Sequence, residues 1–280
     1  MIAPDLSGLK GQPLPQRPVW RRVLGSAGVS VVLYLVIVAL IVYGSYVGAQ
    51  NMGYNWQWHR VPQFLYSYTD EGFQPGEIVL GLFVTLKLTA TSFALAVAMG
   101  LLVALLRLSG LVMGTAVSLA FLELIRNIPL LVLLYLFYYV LGPIFGLDRY
   151  WASVLTLAVF HSALISEIFR AGINAVEQGQ WEAAKSIGMT RGQTYRYIIL
   201  PQSVRFMLPP MTGEAVHLIK SSAIVSVIAV AELTTIGRNI ISETFMSFEI
   251  WFTVAIVYMA VTLILSVGVS YLEHRYRVDQ

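Results

Sequence analysis

Between Arg22 and Arg60 the chain carries no Asp, Glu, Lys or Arg, and the stretch from Ile250 to Leu272 is again free of charge. Uncharged apolar runs of this length constrain the fold more than any motif, because in water they expose surface that nothing polar covers. A helix needs about 20 predominantly apolar residues to cross a bilayer, and it satisfies its own backbone hydrogen bonds while doing so. Six stretches of the 280-residue chain meet that description, at 27–48, 78–106, 112–141, 151–173, 207–231 and 250–272. The predicted fold class is all-α, a polytopic helical membrane protein with six transmembrane helices. Composition agrees, with 57% hydrophobic and 12% charged residues, where soluble domains carry about 25% charge. Cysteine is absent, which excludes disulfide frameworks and thiolate chemistry.

The basic residues predict an orientation. Lys10, Arg17, Arg21 and Arg22 precede the first helix, Arg107 follows the second, and Arg275 and Arg277 close the chain. Arg170, Lys185, Arg191, Arg196 and Arg205 flank or occupy the segment between the fourth and fifth. The opposite connections hold Arg60, Arg149 and Arg238 beside Asp70, Glu71, Glu77, Asp148, Glu232, Glu243 and Glu249. Positively charged loops stay inside, so both termini are expected in the cytoplasm. The expected organisation is a cytoplasmic tail at 1–26, an N-terminal transmembrane helix at 27–48 and a periplasmic aromatic loop at 49–77. A transmembrane domain at 78–273 with a cytoplasmic segment at 174–205 follows, then a tail at 274–280. A competing reading takes the first 49 residues as a secretory leader ending in Val47-Gly48-Ala49. The near balance of 18 basic and 15 acidic residues suggests no nucleic-acid partner.

Residues 174–205 are the longest polar stretch between helices on the basic side. Glu182-Ala183-Ala184 favour helix, Gly188 suits a helix C-terminus, and Thr190 with Gln193 forms a capping-box signature opening a second helix. Pro201 is expected to stop that second helix, and Pro209-Pro210 to mark the start of the next span. The result is a helix, a tight turn and a helix, a rigid elbow projecting from the membrane.

The same residues, Glu182-Ala183-Ala184, Gly188 and Ile198-Ile199-Leu200-Pro201, match in full the EAA signature of permease subunits of bacterial ABC importers. Further segments resemble the polar amino acid branch of that family. They are Thr85-Leu86-Lys87-Leu88-Thr89, Arg107-Leu108-Ser109, Arg126-Asn127-Ile128-Pro129, Glu167-Ile168-Phe169-Arg170-Ala171-Gly172 and Leu218-Ile219-Lys220-Ser221-Ser222. The resemblance covers about residues 76 to 277. It departs where the chain adds an N-terminal tail and helix to a five-helix core, and at Leu164, where a tyrosine is common. What it implies is a permease subunit of an ATP-driven, binding-protein-dependent amino acid importer in the bacterial inner membrane. The implied partners are two ATPase subunits, a second permease of the same or a similar chain, a periplasmic or surface binding protein, the lipid bilayer and the amino acid itself. The elbow residues implied in coupling to the ATPase are Glu182, Ala183, Ala184, Gly188, Met189, Thr190 and Pro201. The Arg126-Asn127-Ile128-Pro129 variant leans toward acidic or broad-range substrates.

No lysine follows a glycine in a G-x-x-x-x-G-K-[ST] arrangement, so ATP and Mg are expected on partner subunits and no cofactor on this chain. No HExxH, nucleophile motif or metal-ligand spacing stands out, so neither catalytic nor metal-binding residues are expected. An autonomous ion-coupled transporter is the alternative function, a class that often shows two inverted halves, which the sequence does not display.

Ionisable groups at bilayer depth cost at least about 2.5–3.5 kcal/mol each and so face a partner or a watery cavity. Glu123 and Arg126 stand three residues apart, with Asn127 near the same face and Pro129 loosening the ladder nearby; they form either an internal salt bridge shaping a bent helix or a pathway-lining pair. Glu214, His217, Lys220 and Ser221 share one helical stripe, with Ser222 beside it, predicting a face on the pathway or the subunit interface. Lys220 is a candidate for a substrate carboxylate and Glu167 for its ammonium, although Glu167 and Arg170 can equally pair locally. His161 is expected to be a satisfied core residue, and Lys87 to snorkel at a helix end.

Overall fold

A computed structural model of the chain describes residues 27–69 and 72–276. The tail expected at 1–26, residues 277–280 of the other tail, and Asp70 with Glu71 lie outside the described residues. The chain divides into two compact units between Trp56 and Gln57. The first holds helix α1, Ala27–Asn51, an uncharged helix whose Leu40, Ile41 and Tyr43 are exposed. Such a helix is stable only where its surroundings are as apolar as its surface.

The second unit begins with two short helical turns, Trp58–Arg60 and Pro62–Leu65, and a hairpin follows them within the expected aromatic loop. Strands β1, Tyr66–Thr69, and β2, Gly72–Pro75, pair antiparallel with Tyr66 opposite Pro75. Tyr66 stacks on Phe73 at 6.1 Å and Tyr68 meets Phe73 edge-on at 6.0 Å. This pair of strands is the exception to the all-α expectation among the described residues.

The rest is helical: α2, Glu77–Leu108; α3, Val112–Asn127; α4, Leu130–Phe145; α5, Arg149–Asn174; α6, Gln178–Ser186; α7, Arg191–Ile228; α8, Leu233–Thr244; and α9, Ser247–Tyr276. Four helices (α1, α2, α5 and α9) are single candidate spans, and two bent pairs, α3 with α4 and α7 with α8, bring the total to as many as six.

Both bent pairs correct the sequence reading. The stretch 112–141 was expected as one helix, yet the chain turns by 105° between α3 and α4. Pro129 has no N–H and its ring forces the preceding residue out of the helical region, and Ile128 sits at φ −95°, ψ 125°. The span expected at 207–231 begins instead at Arg191 and passes through Pro201, Pro209 and Pro210 without a stop. A π segment, Tyr195–Ile199, precedes Pro201 and widens the turn there. The α-helical part ends at Ser221 and a 3-10 stretch, Ser222–Ile228, leads to Ala229, which is left-handed at φ 56°. α8 occupies what was read as an outer loop.

α2 and α5 form the most extensive helix pair. Small residues on α2, Ser92, Ala96 and Gly100, are buried, and a Cβ at Gly100 would stand 2.7 Å from Ile165 Cγ2 and 3.0 Å from the Ser162 carbonyl oxygen. Between helices in lipid there is little hydrophobic gain, so close van der Waals contact of this kind is what holds them together. Farther along, Ile78 of α2 packs with Leu233 and Ile240 of α8 and with Met246, Ile250 and Val254 around the start of α9. Thr85 Oγ1 accepts the Leu233 N–H at 3.1 Å. At the other end Val103, Leu122, Ile125, Leu133 and Ala163 join α2, α3, α4 and α5.

Candidate functional site

Between α5 and α7 the chain makes the elbow. α6 ends in a Schellman arrangement: the Gly188 N–H donates to the Lys185 carbonyl at 3.0 Å and the Met189 N–H to the Ala184 carbonyl at 3.1 Å. Closing these bonds requires a left-handed residue, and Gly188 stands at φ 77°. Thr190 then starts the next helix with both halves of a capping box. Its N–H donates to Gln193 Oε1 at 2.9 Å and its Oγ1 accepts the Gln193 N–H at 3.4 Å. The elbow is fixed to the base of α7 as well as closed on itself. Trp181 meets Tyr195 edge-on at 5.2 Å, Gln202 Nε2 donates to Gln180 Oε1 at 3.2 Å, and both rings pack on Ile173, Val176, Ile199 and Met207. Ala184 is buried, while Glu182, Ala183 and Ile187 are exposed, Ile187 at 76%. Gln178 Nε2 reaches Glu182 Oε1 at 3.1 Å. The elbow therefore offers a carboxylate, an alanine and an aliphatic knob from a rigid base. Met189 is half-buried, and Pro201 lies in the first turn after the π segment.

A second group lies between α5 and α7. His161 is fully buried, as a core histidine should be, but its partners come from the α7 stripe. His161 Nδ1 stands 2.5 Å from Glu214 Oε1, and Nε2 stands 3.1 Å from Ser221 Oγ. His217 Nδ1 is 3.7 Å from Glu214 Oε2, and its ring meets that of His161 edge-on at 5.4 Å. The structure thus brings Glu214, His217 and Ser221 together and adds His161, which sequence reasoning had set apart. Lys220 is exposed, and Ser222 is buried with its hydroxyl donating to the Ile219 carbonyl.

The remaining candidates separate. Glu167 is held by two guanidinium groups: Arg170 Nε and Nη2 donate to Oε2 at 3.0 and 2.8 Å, and Arg107 Nη1 pairs with Oε1. Both oxygens are engaged in this local pairing. Arg107 was the missed partner, and only its helix-end position hinted at it. Of the two readings of Glu123 and Arg126, the internal salt bridge is absent among the described residues. Asn127 Nδ2 donates instead to the Glu123 carbonyl at 2.7 Å and to Oε2 at 3.3 Å, the i,i+4 amide winning over the i,i+3 guanidinium. Lys87 is exposed, with its Nζ 5.6 Å from the Tyr150 ring centroid.

Comparison with known proteins bears on this arrangement. Residues 110–278 match the family model described as binding-protein-dependent transport system inner membrane component. The chain is 37% identical over 197 residues to the probable glutamine ABC transporter permease protein GlnM of Bacillus subtilis (strain 168), covering 70% of this chain and 91% of that one. It is 35% identical over 204 residues to the glutamine transport system permease protein GlnP of Escherichia coli (strain K12), covering 72% and 93%. Among solved structures, a crystal structure of an amino acid ABC transporter with histidines superposes at a TM-score of 0.67 with 41% identity, over 71% of this chain and 94% of that one. An inward-facing MetNI methionine ABC transporter shares the fold at a TM-score of 0.61 and 20% identity, over 72% and 96%. These likenesses set aside the ion-coupled alternative. With the family model spanning most of the helical unit and relatives matched over nearly their whole length, the chain belongs to the binding-protein-dependent transport system inner membrane component family, the permeases of ABC importers.

Proposed function

We propose that this permease carries a polar amino acid across the bacterial inner membrane, using ATP hydrolysed by a separate pair of subunits that grip the elbow. The observation that carries the coupling part is the elbow itself: a nine-residue helix closed at both sides of one turn and pinned to α7. A partner that moves such an element moves the whole of α7, because the Schellman bonds, the capping box and the Trp181 to Tyr195 contact leave no slack between them. Glu182 is placed to pair with a basic residue of the ATPase, and exposed Ile187 to fill an apolar depression beside it.

Support for the amino acid class comes from the two relatives named above, both of them glutamine permeases by name. The working unit is two permease chains, two ATPase subunits and a binding protein, with the elbow and both termini on the cytoplasmic side, as the basic residues around it argue. The chain itself is a transport subunit without catalytic chemistry of its own. The test is reconstitution in vesicles with the ATPase subunits, a second permease and binding protein. Uptake of labelled glutamine and other polar amino acids should require ATP inside and fail when the ATPase is left out. Accumulation against a gradient by vesicles holding this chain alone, with no nucleotide, overturns the proposal.

A further inference from the structure

Glu214 stands between two imidazoles and gives one oxygen to each, Oε1 to His161 Nδ1 at 2.5 Å and Oε2 to His217 Nδ1 at 3.7 Å. One ligating atom from each of the three residues lies within 4.8 Å of the others. We propose that His161, Glu214 and His217 form a binding site for a divalent transition-metal ion, of the zinc or cobalt class, which joins α5 to α7.

The donor set argues for that class. Two imidazole nitrogens and one carboxylate suit zinc, cobalt or nickel, whereas magnesium and calcium favour oxygen donors alone. Three protein ligands with one side open is the arrangement in which zinc keeps a fourth position for water or another ligand. The open side is here the side of His217, whose side chain is 54% exposed, while that of His161 is fully buried. Two ligands, Glu214 and His217, stand three positions apart on one helix, so their relative placement is fixed by helical geometry before any ion arrives. The third is held in place from behind: Ser221 Oγ lies 3.1 Å from His161 Nε2, the outer contact that sets which ring nitrogen faces the ion. Ser221 is itself held by a 2.6 Å donation to the His217 carbonyl. An ion enters by displacing the proton between His161 and Glu214 and drawing His217 inward by a change of side-chain rotamer. Because the ligands come from α5 and α7, a bound ion staples the helix that follows the elbow to the helix that precedes it.

The inference stands on these side chains and does not rest on the transported substrate. It is tested on the full chain in lipid nanodiscs, purified without a polyhistidine tag, by titration with Co2+ alone and reading of the visible absorption of the bound ion. One ion per chain is expected. The variant H59A/H274A, which removes the two histidines outside the cluster, should bind as the unaltered chain does. His217→Ala, at a half-open position where folding is not at stake, should lose the absorption. Ser221→Ala should weaken binding by roughly 10–100-fold, the usual loss when an outer contact is removed. Absence of binding to the unaltered chain, retention of binding in His217→Ala, or loss in H59A/H274A overturns the assignment.

Discussion

Replacing Gly188 by alanine adds one methyl group at φ 77°, where L-residues resist. The left-handed conformation costs such a residue roughly 1–2 kcal/mol. No heavy atom stands within 4 Å of where the Cβ would go, so torsional strain is the whole of the penalty. Against it stand the two hydrogen bonds that close the turn, from Gly188 to Lys185 and from Met189 to Ala184, at about 1 kcal/mol each. The capping box on Thr190 contributes about 1 kcal/mol more. The turn keeps its form, but its open state gains 1–2 kcal/mol, a factor of about 5–30 in population. Asparagine tolerates the left-handed region and should lose much less; a β-branched valine should lose more. The assay is stimulation of ATP hydrolysis by loaded binding protein in the assembled transporter, alongside thermal unfolding. Stimulation should fall in the order glycine, asparagine, alanine, valine. The unfolding temperature should barely move, because the cluster of Ile173, Val176, Ile199 and Met207 beneath the elbow does not involve residue 188. Equal impairment by asparagine and alanine, or full stimulation with valine, refutes the link between backbone angle and coupling.

Three further outcomes are expected. Glu182→Ala, at an exposed position, should weaken ATPase association by roughly tenfold or more, about 1.4 kcal/mol; its unfolding temperature should match that of the unaltered chain. Glu232 is buried and accepts the Thr234 and Thr235 N–H groups, both at 2.8 Å, and the Tyr258 hydroxyl at 2.9 Å. Glu232→Ala should cost about 1–2 kcal/mol in a detergent unfolding titration, and Glu232→Gln clearly less, since its amide oxygen still accepts. Gly100→Ala should destabilise by about 1–3 kcal/mol through overpacking. In a double-mutant cycle with Ile165→Ala the two losses should sum to more than the double variant shows, because the second change removes the Cγ2 that the new methyl strikes.

What could be read from the sequence depended on whether the signal was local. The turn of the elbow was legible, because Gly188, Thr190 and Gln193 act on backbone groups within a few residues. The break at Ile128 and Pro129 was written in the sequence but hidden by hydropathy, which counts apolar side chains and does not see a missing N–H. The opposite error arose at Pro201 and Pro209-Pro210, read as boundaries although helix runs through them, because a π segment accommodates the first. α8 was read as part of an outer loop holding Arg238 and Glu243, although Leu233, Ile236, Ile240 and Ile241 recur at helical spacing. The pairing of His161 with Glu214, and of Arg107 with Glu167, joins different helices, and no local rule selects such partners.

The two bent pairs differ in how their broken backbones are satisfied. At the α7 to α8 break, Thr85 receives the Leu233 N–H, Glu232 receives those of Thr234 and Thr235, and Arg238 Nη2 donates to the Ser226 carbonyl at 2.8 Å. Tyr258 of α9 closes on the same carboxylate. That break is cross-linked to α2 and α9 and can sit at any depth in the protein. At the α3 to α4 break the Leu133 N–H reaches the Pro129 carbonyl at 3.0 Å, and Glu123, Arg126 and Asn127 lie exposed just before it. Backbone interrupted in this way, with a carboxylate and a guanidinium not paired to each other, costs several kcal/mol if lipid covers it. The α3 to α4 corner is therefore not a surface that lipid covers, and of the two breaks it is the one held by fewer bonds among the described residues.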